Sequence, residues 1–135
     1  MSEQLYQERI VALAKAKTGA GKLAAPTKSA RRDNPLCGDR VTIDVALDAT
    51  GKIKDIAHQV RGCLLCEASA SALASVAVGR DAAGIAALRH EADRALGREE
   101  GEAGEPFSAF TPVRQHKSRQ DCVLLPFEAL KDALS

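Results

Sequence analysis

The chain has 135 residues, 45% of them hydrophobic and 27% charged, which fits one globular domain able to bury a core without disulfide support. A formal net charge of +1, one Tyr, three Phe and no Trp provide neither the field nor the stacking surfaces expected of a nucleic-acid binder. No window approaches the roughly 18 apolar residues of a membrane span, and the start lacks a basic stretch followed by an apolar run. The expectation is a cytoplasmic protein, residues 1–135 forming one domain, with no nucleic acid and no membrane among its partners.

Residues 3–17 read as a helix, with Tyr6, Ile10 and Leu13 on one side and Gly19 placed to cap it. Residues 19–33 are mixed, and a short edge strand is expected around residues 22–25. Arg31 and Arg32 are either a solvated loop pair or a local positive potential that favours a thiolate nearby. Next comes Asn34-Pro35-Leu36-Cys37-Gly38-Asp39, a turn offering a soft donor and a hard donor two residues apart. Residues 40–47 alternate as a strand, Val41, Ile43, Val45 and Leu47 against Thr42, Asp44 and Ala46, and residues 52–61 return after a turn at 48–51. Ile53 is out of phase with Ile56, His58 and Val60, which predicts a bulge or a frayed start near Lys54. An antiparallel hairpin of this kind brings its outer ends together, so Asp39 and Cys63 are expected at the same edge.

A helix is predicted over residues 63–78, with Leu65, Ala68, Ala72 and Val76 in a stripe widened by Leu64 and Leu73. Cys63 falls at its N-terminus, where unpaired N–H groups and the helix dipole suit negative sulfur. Cys66 makes a CxxC with Cys63; without a second CxxC it reads as an extra thiol. A third helix is predicted over 80–96 with Asp81 as N-cap, then a polar, Gly-rich and mobile loop over 97–105. Phe107 and Phe110 should plug the core from a short helical turn over 106–113. A basic run over 114–119 precedes a last helix carrying Leu125, Phe127, Leu130 and Leu134, with Pro126 starting or kinking it after a turn that contains Cys122. His58, His90 and His116 read as packed or exposed side chains more readily than as ligands.

Where thiols stay reduced, four cysteines point to metal or sulfur chemistry before disulfides, although unrelated buried thiols are the plain alternative. The reading carried forward is that Cys37, Asp39, Cys63 and Cys122 converge on one zinc or iron–sulfur site.

The ordered set Asn34-Pro35-Leu36-Cys37-Gly38-Asp39, Gly62-Cys63 with Glu67-Ala68-Ser69-Ala70-Ser71, and Ser118-Arg119-Gln120-Asp121-Cys122 resembles the U-type iron–sulfur cluster assembly scaffolds, the IscU, SufU and NifU N-terminal group. The resemblance covers nearly the whole chain after about residue 20. It implies an α+β fold, a small antiparallel sheet with helices packed on one face and a metal site at one end. It also implies Cys37, Asp39, Cys63 and Cys122 as ligands and a cysteine desulfurase and apo iron–sulfur proteins as partners; whether the chain is a homodimer stays open. Three thiolates suit iron–sulfur or zinc, and a carboxylate is a harder, more exchangeable fourth ligand.

Two departures stand out. Asp121 occupies the place of a histidine in the IscU branch, and that branch's Leu-Pro-Pro-Val-Lys segment is missing. The long stretch over 79–119 is nearer the SufU branch, which is associated with zinc-dependent sulfur transfer through a thiol corresponding to Cys37. Three functions therefore compete: a scaffold that binds a transient iron–sulfur cluster, a zinc-dependent sulfurtransferase with Cys37 as persulfide acceptor, and a closed structural zinc domain.

Overall fold

The computed structural model describes residues 2–35 and 38–135, with side chains from residue 8 onward among these. Four α-helices, a 3-10 helix and three strands follow one another as α1 (Ser2–Ala16), β1 (Lys28–Asn34), β2 (Asp39–Leu47), β3 (Ile53–Arg61), α2 (Leu64–Ala77), α3 (Ala82–Ala95), the 3-10 helix Phe107–Gln115 and α4 (Lys117–Leu134). The strands form one antiparallel sheet in the order β1-β2-β3. The fold is thus α+β, as the resemblance implies.

Alternation in β2 decides which face of the sheet is covered. Val41, Ile43 and Val45 are buried on one side, while Thr42, Asp44 and Ala46 on the other are half-exposed. α2 and α4 pack beneath the buried side, α1 lies against α2, and α3 with the 3-10 helix closes the far flank. The bulge expected from Ile53 is present: Ala46 pairs with Asp55 and Leu47 with Ile53, so Lys54 is the unpaired extra residue. It brings Ile53 onto the covered face, where it is 1% exposed.

α2 runs through the middle of the helical layer, and its small residues allow neighbours to approach from several sides. Ala68, Ser69, Ala70, Ser71, Ala72 and Leu73 are all buried. Leu64, expected to widen the apolar stripe, is instead 43% exposed, because it opens the helix at the margin of the sheet. Phe107 and Phe110 are buried as predicted, and the Phe107 ring meets that of Phe127 at 5.4 Å between centroids in a tilted arrangement.

Several expectations are corrected. The edge strand is Lys28–Asn34 and not residues 22–25, and it contains Arg31 and Arg32. Its alternating faces separate the two: Arg32 reaches Asp132 of α4 at 2.8 Å, while Arg31 lies on the opposite face. The loop over 97–105 is tied down, with Gly104 N–H donating to Glu91 at 2.8 Å and Glu105 meeting Arg9 at 2.7 Å. Pro126 does not start the last helix, since α4 begins at Lys117 and has Pro126 inside it, and Cys122 lies in its second turn and not its first. Ile10 is buried and Leu13 partly so, whereas the Tyr6 side chain lies outside the described residues.

His58 is a core histidine. It is 6% exposed, its Nε2–H donates to the Thr18 carbonyl at 2.7 Å, and its Nδ1 has no partner among the described residues. Burial outweighs that hydrogen bond and holds its pKa below the ordinary 6.5, so the fold keeps the ring neutral. The unfolded chain takes up the proton at about pH 6.5. Stability due to the neutral ring is therefore complete above that pH and falls as pH drops towards and through the folded pKa. Denaturant unfolding between about pH 7.5 and 5.5 should show this decline, and His58→Gln, which keeps a donor for Thr18, should flatten it. An unchanged slope in the variant would assign the pH dependence to other groups.

Candidate metal centre

The end of the β2–β3 hairpin and the start of α2 create the site. Asn34 and Asp39 are cross-strand partners, so β1 ends and β2 begins at the same end where Arg61 leaves β3. Gly38 has φ +72°, a left-handed conformation costly for other residues, and its N–H donates to the Asn34 carbonyl at 2.8 Å. Cys37 lies outside the described residues, between the placed Pro35 and Gly38 in sequence.

Asp39 is 2% exposed, an unusual position for a carboxylate, and among the described residues Cys63 pairs with it. The backbone N–H of Cys63 donates to Asp39 Oδ1 at 3.1 Å and its Sγ–H to Oδ2 at 3.4 Å. Cys63 is the N-cap of α2 and makes no side-chain capping bond. Its side chain is therefore directed to Asp39 and not to its own helix.

Cys122 arrives from α4, 1% exposed. The Ser69 hydroxyl of α2 donates to the Val123 carbonyl, so α2 and α4 are pinned together one residue from Cys122. Gln120 is buried two residues earlier, its Nε2 donating to the Leu96 carbonyl at 3.1 Å and its Oε1 accepting from Arg98 Nε at 2.8 Å. One donor atom each from Asp39, Cys63 and Cys122 then lie within 4.8 Å of one another. Two thiols and a carboxylate at that spacing fit a soft or borderline metal.

The remaining candidates are placed elsewhere. Cys66 is fully buried in the hydrophobic core and does not belong to the close group of Asp39, Cys63 and Cys122. Asp121 is exposed and faces Arg98 at 3.5 Å. His116 is an exposed residue between the 3-10 helix and α4. His90 forms a second close group with Asp93 and Glu99. Arg89 engages Asp93 at 3.3 Å and Arg94 approaches Glu99 at 3.7 Å, so that group is a surface ion-pair network.

Gly62 was read only as part of a motif, and its physical role emerges from the packing. A Cβ there would lie 2.3 Å from Asp39 Oδ1 and 2.6 Å from its Cγ. The glycine before Cys63 is thus the space into which the Asp39 carboxylate fits. Ser69 and Gln120 were likewise not legible as site supports, because a buried hydroxyl or amide has no sequence periodicity of its own.

Fold and site together define a small α+β domain with a thiol–carboxylate centre at one end of its sheet. The chain belongs to the NifU-like N-terminal domain family, whose model matches residues 5–135. It is 28% identical over 134 residues to the iron–sulfur cluster assembly scaffold protein IscU of Thermotoga maritima, covering 98% of this chain and 94% of that protein. It is 29% identical to the bifunctional protein NifU/MnmA of Rubrobacter xylanophilus, over 84% of this chain but only 25% of that longer protein. Among solved structures, a NifU-like N-terminal protein from Brucella abortus superposes with a TM-score of 0.85 at 32% identity, covering 97% of this chain and 92% of that one. A putative iron–sulfur cluster assembly scaffold protein for the SUF system from Fervidobacterium islandicum superposes with a TM-score of 0.88 at 27% identity, covering 100% of both chains.

Gly62→Ala should push the Asp39 carboxylate off the Cys63 N–H and cost about 1–3 kcal/mol of stability, the range for leaving a buried polar group poorly paired. Carbon-detected NMR of the Asp39 carboxyl in both proteins would register the displacement. An unshifted signal and unchanged denaturation midpoint would show that the contact relaxes freely.

Proposed function

We propose that the chain is a scaffold on which an iron–sulfur cluster is assembled and from which it passes to apo-proteins, held by Cys37, Asp39, Cys63 and Cys122. The observation that carries this reading is the meeting of donor atoms from Asp39, Cys63 and Cys122 within 4.8 Å, from the start of β2, the N-cap of α2 and α4; Cys37 joins them on the sequence pattern alone. The names of the Thermotoga maritima and Fervidobacterium islandicum relatives support it. The cluster is cargo: three thiolates suit iron and sulfide, and Asp39 is the weaker, harder ligand that lets it leave. A cysteine desulfurase would supply sulfur and apo iron–sulfur proteins would receive the product, in the reduced cytoplasm. No helix among the described residues is long and apolar enough to cross a membrane.

A second reading is zinc-dependent sulfur transfer, in which the chain takes persulfide sulfur on Cys37. Asp121 favours it: the residue before Cys122 is an exposed carboxylate paired with Arg98 instead of an imidazole at the centre. Zinc at the same donors would hold the thiolates until one is needed as a nucleophile.

Anaerobic reconstitution with iron, cysteine and a desulfurase separates the two. A near-stoichiometric cluster that transfers to apo-ferredoxin supports the scaffold; no cluster, with faster desulfurase turnover only after zinc loading, supports sulfur transfer. Cys37→Ser, Cys63→Ser and Cys122→Ser should each abolish whichever activity is found. Cys66→Ala should lower thermal stability yet retain it, and equal loss there would overturn the ligand assignment. Asp39→Ala should make a bound cluster or metal harder to release to a chelator, and easier loss would remove its role as the exchangeable ligand. In the basic run, Arg114 is already committed to the Ala95 and Arg94 carbonyls at 2.9 and 2.7 Å, so Lys117 and Arg119 are the residues to change when testing desulfurase docking there.

A further inference from the structure

The uncovered face of the sheet carries a charge arrangement that the centre does not explain. Asp33, Arg40 and Arg61 are successive cross-strand partners, one on each strand, and so lie on the same face. Arg31 sits one row away on that face, opposite Thr42. Asp33 accepts from Arg40 Nε at 3.2 Å and lies 3.6 Å from Arg31 Nε, so one carboxylate serves two guanidinium groups. Arg61 has no ion pair among the described residues and is exposed. Like charges directly opposite on neighbouring strands destabilise a sheet, so the Arg40–Arg61 pair works against folding.

The far end of the same face is closed. Leu23 N–H and the Ser29 hydroxyl both donate to Asp44, at 3.2 and 2.6 Å, and Ala57 beside it is 5% exposed. The near end is open, and its groove is lined by Asp33, Arg40 and Arg61 together with Asp39 and Gly62 of the centre. The surplus of positive charge is local, because the whole chain carries a formal net charge of only +1.

We propose that this open end of the sheet, formed by Arg31, Arg40 and Arg61, is a docking surface for a protein partner that presents a run of carboxylates. Three guanidinium groups spread over three strands span about 10 Å at the usual strand spacing. That width matches an extended acidic segment better than the single carboxylate of a small molecule. Because Asp39 and Gly62 share the groove, a partner held there is brought against the thiol centre. Binding through such exposed charges is salt-dependent. The inference rests on strand register and charge and is independent of whether the centre carries a cluster or zinc.

The test uses the full chain and a fluorescein-labelled decaglutamate peptide, with a decaglutamine peptide as reference, followed by anisotropy and by amide NMR shifts. The decaglutamate peptide should bind at low salt and weaken strongly by about 0.15 M, where the Debye length is about 8 Å. Arg31→Gln with Arg61→Gln should weaken binding about fivefold or more, while Lys15→Gln with Lys131→Gln, which removes the same charge elsewhere, should change it less than about twofold. The largest shifts should fall on Arg31, Arg40, Thr42 and Arg61. Equal weakening by both pairs, shifts centred on Lys117 and Arg119, or no binding at low salt would each overturn the proposal.

Discussion

A buried carboxylate holds this architecture together at its working end. Asp39 starts β2 inside the protein, and burying it would be costly unless its oxygens were met by donors. Among the described residues its donors come from Cys63, at the junction of β3 and α2, so the interaction that pairs Asp39 also fixes the position of a thiol. The constraint extends to Gly62, where any side chain would occupy the space of the carboxylate. Sheet edge, helix start and candidate ligand are therefore parts of one packing solution.

The second thiol depends on helix packing and not on the sheet. α4 is pinned to α2 through Ser69 and Val123, and to the end of α3 through Gln120, Leu96 and Arg98. These contacts bracket Cys122 on both sides in sequence. Cys122 and Asp39 are almost fully buried and Cys63 is half-buried, and Asp39 borders an open groove at the hairpin end. That groove also bears Arg40 and Arg61.

Much of this was legible in the chain. The alternation of Val41, Ile43 and Val45 gave β2, and the phase slip at Ile53 gave the bulge at Lys54, because a period of two is a strong local signal. Hairpin geometry placed Asp39 beside Cys63 without further information. The edge strand was missed because Lys-Ser-Ala-Arg-Arg-Asp-Asn has no apolar alternation: one face meets charged residues of α4 and the other meets solvent. Leu64 was misplaced because helical periodicity does not say where neighbouring elements stop. Of the two places offered for Pro126, helix start and helix interior, local pattern could not choose, and α4 takes the second. The supporting roles of Gly62, Ser69 and Gln120 depend on contacts across the fold, and no local pattern announces them.

One carboxylate and three thiols, those of Asp39, Cys37, Cys63 and Cys122, are proposed as the ligands of one metal centre. X-ray absorption of the zinc-loaded protein tests this most directly. The account predicts three sulfur neighbours at about 2.3 Å and one oxygen at about 2.0–2.2 Å, with one sulfur lost in Cys37→Ser and none in Cys66→Ser. Four sulfurs in the wild-type protein, or a sulfur lost on replacing Cys66, would contradict it and assign Asp39 to packing alone.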